Sequence, residues 1–416
     1  MQLTVSLGIP LDVLYVVKVT PSNLTKPTLV PIHILRTLQD INSTLLANNC
    51  YKLLISLTFR WFIVLYLYNM IKQNNQSSFA DIAVEHRSVK MPLFDRVNLI
   101  VDWITIETEI SKYYKKGQSV DGRASYSPII LFKMLLLQTW YGLSDESVEL
   151  NVRDRISFSK FCCISMGEQV PDSTVLCRFR GALSKGNAFE KLLLIINQRL
   201  EDNNLMVTTG AIVDASVTPT LRKPRGKKEY ETVVEDRKET ETKESTTTKL
   251  IEKVKPNVDT EAAWIIKAGK LHYGYKQHTV TNQEGFVLGI HTTAANESDV
   301  KNLKTALDKV VLKPRTPVFA DKGYVSAENN TTLIDKKLKN RILNKAVKNK
   351  PLNEIEKQIN KKISQTRYKI ERTFGSINRW FKAGIAKYVG KAKMHSQHLI
   401  QAICYNLYRM PIIPAA

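Results

Sequence analysis

The sequence predicts an α/β fold, helical in its first half and strand-rich in its second. Three observations carry this over the chain of 416 residues. Apolar residues recur at helical spacing from about 94 to 205. After Gly210 the period shortens to that of strands. Two of the short apolar runs that follow end in an aspartate, Asp214 and Asp321.

Residues 53–71 are largely apolar, but Arg60 interrupts them, and the run 61–70 is far short of the roughly 20 residues a spanning helix needs. No membrane anchor is expected, and a secretory signal would sit nearer the start. Residues 1–69 carry no motif connected with the rest. They read as a non-functional upstream extension, with Met70 as the natural start.

Residues 70–205 read as a helical N-terminal domain. Ser127-Pro128 is a helix start with proline at the first helical position, and the apolar run 129–140 behind it is a core helix. Pro171-Asp172-Ser173 opens another helix, bearing Arg178 and Arg180, and 188–205 is a third. Such a module suits DNA binding or dimerisation.

Residues 206–416 form the second domain. Strands are expected at 210–217, 271–280, 285–293 and 317–320, and a helix at 299–311 with Asp299 as its N-cap. Residues 221–261, dense in Lys, Glu and Thr, cannot bury a core and read as a mobile surface insertion. The lysine-rich stretch 335–350, continued by Lys357, Lys361 and Lys362, would suit a phosphate backbone.

Charge narrows the function classes. With 61 Lys+Arg against 39 Asp+Glu the formal charge is +22, which calls for a polyanionic partner. Nucleic acid fits better than an anionic membrane, since no long basic amphipathic helix is evident. The five cysteines include no C-x-x-C pair, which argues against a zinc module or a disulfide framework and for a reducing compartment.

Asp214 and Asp321 each sit where a buried strand emerges, and Glu371 lies on a helical stripe with Arg367, Phe374 and Asn378. Two strand-borne aspartates and a helix-borne glutamate in a basic chain point to a divalent-metal site for phosphodiester chemistry. Hard cations prefer carboxylate oxygens, and a pair of them roughly 3.5–4 Å apart clamps the attacking and leaving oxygens. Taken alone, each feature has a plainer reading. Arg367 and Glu371 could be an i,i+4 surface ion pair, and a strand-end aspartate is often a turn or cap residue.

Taken together these residues resemble a known family, the DDE transposases of bacterial insertion sequences, of the insertion-sequence-five type. The resemblance covers roughly Met70 to the C-terminus. Residues 140–146 and 170–174 are similar to the family's helical domain. Ile212-Val213-Asp214-Ala215 resembles the segment of its first catalytic Asp, and Ala320-Asp321-Lys322-Gly323-Tyr324 that of its second. His272-Tyr273-Gly274-Tyr275-Lys276 and 292–296 resemble its middle strands, and Arg367, Glu371 and Phe374-Gly375 its Arg-x3-Glu signature.

The resemblance implies a ribonuclease-H-like catalytic domain with a central mixed sheet, preceded by an all-helical N-terminal domain. Asp214, Asp321 and Glu371 would be catalytic ligands of two Mg2+ ions, for which Mn2+ can substitute. Arg367, Lys322, Asn378 and Arg379 would contact DNA. The expected activity is binding of the element's terminal inverted repeats, strand cleavage and strand transfer into target DNA. A homodimer in the synaptic complex and a cytoplasmic, nucleoid-associated location are further implications. Two positions depart from the signature: Ser364 stands where the family has Tyr, and Asn378 where it has Lys. The alternative from another class is a decayed or repurposed copy that binds DNA without catalysis.

Overall fold

The computed structural model describes residues 71–72, 93–115, 125–165, 167–225, 230–235, 247–252, 257–346 and 351–411. The chain forms two compact units, Met1–Tyr68 and Asn69–Ala416. The first, the expected extension 1–69 and the Met70 start all lie outside the described residues.

The first half of the second unit is helical, as expected. The helices are α1 (Leu93–Ile100), α2 (Trp103–Ser111), α3 (Pro128–Tyr141), α4 (Asp145–Asp154), α5 (Ile156–Cys162), α6 (Ser173–Lys185) and α7 (Ala188–Asp202). Their starts follow capping chemistry. The Ser127 hydroxyl accepts from the Ile129 amide with Pro128 at the first position of α3, and Asp172 accepts from the Val175 amide to cap α6. Helix α3 is apolar on nearly every side because its neighbours surround it, and it stops at Gly142 with φ +62°.

The strands are β1 (Ile71–Lys72) and β2 (Ser125–Tyr126), a short parallel pair, then β3 (Ala211–Pro219), β4 (Tyr230–Glu235), β5 (Thr247–Glu252), β6 (Ala263–Lys267), β7 (Lys270–Asn282), β8 (Val287–Ala294), β9 (Pro317–Ala320) and β10 (Lys339–Ile342). Six of them form the main sheet, ordered β10-β9-β3-β7, with β8 and β6 both pairing the far edge of β7. β3, β7 and β8 are antiparallel, whereas β9 and β10 run parallel to β3. Between them come α8 (Asp299–Asp308), which crosses from β8 to β9, and α9 (Ala327–Asp335), which crosses from β9 to β10. Helices α10 (Glu354–Phe381) and α11 (Lys391–Arg409) end the chain. An antiparallel trio continued by two parallel strands is the ribonuclease-H-like arrangement, with a mixed central sheet and a helical region before it.

The expected boundary near residue 205 marks a change of period and not of core. One apolar cluster runs from Val97 on α1 through Val213 and Val280 to Leu407 on α11. Polar clamps cross the same seam. Asn406 on α11 accepts from the Val287 amide at 2.9 Å and donates to Asn197 of α7 at 2.7 Å. A second clamp runs from β3 to α7: Thr218 to His398, His398 and His395 to Thr292, and His395 to Glu190, which also takes two bonds from Lys309. Burial pushes the neutral form of His398 forward and lowers its pKa to about 3. Burial by itself would raise the Glu190 pKa, but the bonds and charges of His395 and Lys309 overcome it and hold the carboxyl at about 2.

Several expectations change. Asp299 is not the N-cap of α8; Ser298 is, without a side-chain cap bond. Asp299 is the first helical residue and pairs with buried Lys276 at 2.9 Å, because an ammonium taken out of water needs an anion. The insertion 221–261 contains an antiparallel ladder of β4 with β5, and β6 is a further strand just after it where none was expected. Its far end is anchored: Asp259 is fully buried and accepts from the Tyr275 hydroxyl at 2.7 Å. The lysine-rich stretch near 340 contains strand β10, where Ile342 alone is buried. Gly274 has a packing reason, since an added Cβ would meet the Thr218 carbonyl oxygen at 2.2 Å.

The Glu190 clamp has a pH signature. A depressed carboxyl stabilises the fold above its unfolded value near 4.5 and loses that contribution as pH falls towards about 2. We expect wild type to lose on the order of 3 kcal/mol across that window beyond what Glu190→Gln loses. Denaturant unfolding at stepped pH checks this; parallel curves for the two proteins would remove the clamp from the account.

Candidate active site

The parallel register of β3 with β9 pairs Ala211 with Val318, Ile212 with Phe319 and Val213 with Ala320. The next residues are both aspartates, Asp214 within β3 and not at its end as expected, and Asp321 just past the end of β9, so the two stand side by side about one strand spacing (~4.8 Å) apart. Two like charges so placed need a counter-charge. It comes from α10.

That helix starts with a full capping box, Asn353 and Glu356 exchanging side-chain and backbone bonds. Its buried stripe of Ile363, Ile370, Thr373 and Ile377 packs inward and fixes which residues meet the sheet. Arg367 lies beside this stripe, and its side chain is 13% exposed. Its Nη2 donates to Asp214 Oδ2 at 3.0 Å and its Nη1 to Asp321 Oδ1 at 3.4 Å. The other Asp214 oxygen accepts from the Ala215 amide at 2.8 Å. Burial still raises the Asp214 carboxyl above its ordinary value; Arg367 and the Ala215 amide pull it down, and the Asp321 charge pushes it further up.

Glu371 is exposed one turn beyond Arg367 and forms no ion pair with a described residue. The i,i+4 pair between them is therefore absent, because the guanidinium fork is turned to the sheet. Lys322, Asn378 and Arg379 are exposed, as are Lys357, Lys361 and Lys362 along α10. Lys322 opens a one-turn 3-10 segment directly after Asp321. Gly323 lies in that segment without a positive φ, and an added Cβ would meet only Asp321 Oδ2, at an ordinary 3.9 Å.

The structure adds residues to which sequence spacing assigned no role. Tyr324 is fully buried and its hydroxyl has no hydrogen-bond partner among the described residues. Burial first, then the charges of Asp299 and Asp214, raise its pKa well above the usual phenol value. Buried Asn329 donates to the Tyr324 carbonyl at 2.8 Å and to the Val300 carbonyl at 3.0 Å, which locks the Asp321 turn to α8. A polar residue inside an otherwise ordinary helix gives no signal of such a role. Trp380, 40% exposed, stacks on Tyr405 and leans on Tyr408, so it caps an aromatic cluster at the end of α10.

Among the described residues no group of three or more His, Cys, Asp or Glu side chains lies close enough to hold a metal ion. The two-aspartate pair nevertheless has the right donor chemistry for a divalent cation. It offers hard carboxylate oxygens and already gathers around a positive group. Of the histidines, His278 bonds Thr293 and stacks on His291.

A basic protein with paired carboxylates on neighbouring parallel strands in a ribonuclease-H-like sheet has the outline of a nucleic-acid-processing enzyme. Comparison with known families makes that specific. Residues 207–407 match the family described as "Transposase DDE domain", and residues 81–182 match "Transposase domain (DUF772)". A relative described as the transposase for insertion sequence element IS1106 of Neisseria meningitidis serogroup B is 36% identical over 234 residues. The match spans 56% of this chain and 76% of that protein. A piggyBac transposase synaptic complex with hairpin DNA aligns over 78% of this chain and 75% of that one, at 12% identity and a TM-score of 0.37. The chain belongs to the DDE transposases of bacterial insertion sequences. It is thus an enzyme of the polynucleotidyl transferase and endonuclease type, and DDE transposase domains generally use divalent metal ions. Among the described residues no helix is long and apolar enough to cross a membrane.

The orphan Tyr324 hydroxyl yields a direct test. Removing a buried hydroxyl that has no partner is neutral or stabilising, so Tyr324→Phe should leave stability unchanged or raise it by about 1 kcal/mol. Tyr324→Ala should cost about 3–5 kcal/mol through the cavity left behind. Urea unfolding of both variants reads this; a clear loss in the Phe variant would mean that the hydroxyl is hydrogen-bonded after all.

Proposed function

We propose that this transposase binds the terminal inverted repeats of its own insertion sequence, cuts there to expose a 3′ hydroxyl, and joins that end to target DNA. The observation that carries the reading is the meeting of Asp214 within β3 and Asp321 just past β9 under one guanidinium. Asp214 and Asp321 would hold a shared Mg2+, and Glu371 the second ion of a pair; Mn2+ can substitute. When bound, such ions activate the attacking oxygen and neutralise charge on the leaving oxygen. The protein's part is placement. The strands hold two carboxylates together, α10 would bring Glu371 to them, and Arg367, which the structure turns to the aspartates and away from Glu371, would take a phosphate.

Lys322, Asn378 and Arg379 would contact the DNA backbone beside the carboxylates, with Lys357, Lys361 and Lys362 continuing the positive face along α10. The net charge of +22 supports a DNA partner. Joining two element ends requires at least a homodimer in the synaptic complex. The place of action would be the bacterial cytoplasm, at the nucleoid.

A second reading is favoured by Ser364 and Asn378, which replace the family's Tyr and Lys: a copy that binds DNA without cutting it. Metal-dependent nicking of a supercoiled plasmid carrying the DNA that flanks the gene separates the two. Under the catalytic reading, Asp214→Asn, Asp321→Asn and Glu371→Gln should each lower cleavage more than about a hundredfold, beyond what loss of a ligand's outer partner costs. End-DNA binding, followed by gel shift, should stay near wild type. Cutting at the wild-type rate by any one variant would remove that residue from the ligand set.

A further inference from the structure

Arg367 occupies an unusual position for a residue expected to face DNA. Its side chain is 13% exposed, less than either carboxylate it touches, at 20% for Asp214 and 40% for Asp321. One fork nitrogen is spent on each aspartate, and its buried Nε has no partner among the described residues. A guanidinium at this place sits between the two acidic side chains, where a cation shared by both would have to sit.

A divalent ion and a guanidinium cannot share that space, since both are positive and both need the same oxygens. Helix α10 cannot move aside easily, because Ile363, Ile370 and Ile377 seat it in the core. The side chain can move, since its three-carbon stem pivots without disturbing the stripe. Once off the carboxylates, the fork needs another anion, and a phosphate suits its planar pair of donors.

We infer that Arg367 gates the cation site, exchanging its two bonds to Asp214 and Asp321 for a phosphate of bound DNA when a divalent ion enters. The inference rests on the proposed assignment of Asp214 and Asp321 as metal ligands. It makes metal binding and DNA binding mutually favourable. DNA phosphate draws the guanidinium off the aspartates and so opens them to metal. Metal in turn releases the guanidinium to DNA, and the two enhancements are equal by linkage. Arg367 is here a positioning residue, and the enzyme loads metal more readily where DNA is present.

The test is Mn2+ binding to the full chain by titration calorimetry, with and without a duplex taken from the DNA flanking the gene. Without DNA, Arg367→Gln should bind Mn2+ about tenfold more tightly than wild type, within the usual range of such couplings. The duplex should tighten Mn2+ binding in wild type and leave Arg367→Gln unchanged. Arg367→Lys, which keeps the charge without the fork, should fall between them. Thermal unfolding verifies that each variant is folded. Equal or weaker Mn2+ binding by Arg367→Gln, or an equal response of both proteins to DNA, would overturn the gate. Asp214→Asn distinguishes the underlying reading: if it binds Mn2+ as wild type does, the ligand assignment itself falls. If it loses Mn2+ while Arg367→Gln behaves as wild type, only the gate falls.

Discussion

Two carboxylates standing side by side on the parallel strands β3 and β9 impose the condition that the surrounding structure has to meet. Mutual repulsion and lost hydration both disfavour the charged pair, so a cation must accompany it. The register of β3 with β9 creates the pair, and a slip of one residue would turn one aspartate to the opposite face of the sheet. Much of the surrounding architecture holds that register. β3 is flanked by β7 over its whole length, and the turn after Asp321 is tied through Asn329 to α8.

The helical first half contributes to the same end. Its core is continuous with that of the sheet, and α11 comes back to bury Cys404, Tyr405 and Leu407 against it. Amide and histidine bonds from Asn197, Asn406, His395 and His398 fasten α7, α11, β8 and β3 together. Each of these polar groups is satisfied, so burying them costs little and fixes the relative positions of helices and strands. The firmly seated part of the site therefore ends at the two strands and the buried stripe of α10. Glu371, Lys322, Asn378 and Arg379 stand beyond it in solvent, where long side chains can adjust to a ligand.

Much of this was legible in the sequence. Pro128 and Asp172 mark helix starts because capping is a local chemistry written within four residues. The strands β3 and β9 announce themselves by apolar runs, β7 by alternation and β8 by the strand-like period of 285–293, and the observed elements differ from the expected ones by only a few residues at each end. Strand β10 was hidden because only Ile342 is buried, and a strand with one inward residue looks like a charged loop. The β4–β5 ladder was hidden for a similar reason, in a stretch whose composition is that of a solvated insertion. Asp299 misled because an acidic residue after Ser298 reads equally well as a cap, and its partner Lys276 lies on another strand.

Local chemistry alone was enough for the α/β class, for most of the helices and the strands β3, β7, β8 and β9, and for the two aspartates behind apolar runs, since periodicity, capping and turn chemistry act over a few neighbours. Tertiary structure decided who meets whom. That Arg367 serves Asp214 and Asp321 and leaves Glu371 alone depends on contacts 153 and 46 residues apart, where no local spacing carries information. The same holds for Glu190 and His395, separated by 205 residues and joined only because β8, α7 and α11 converge on one core.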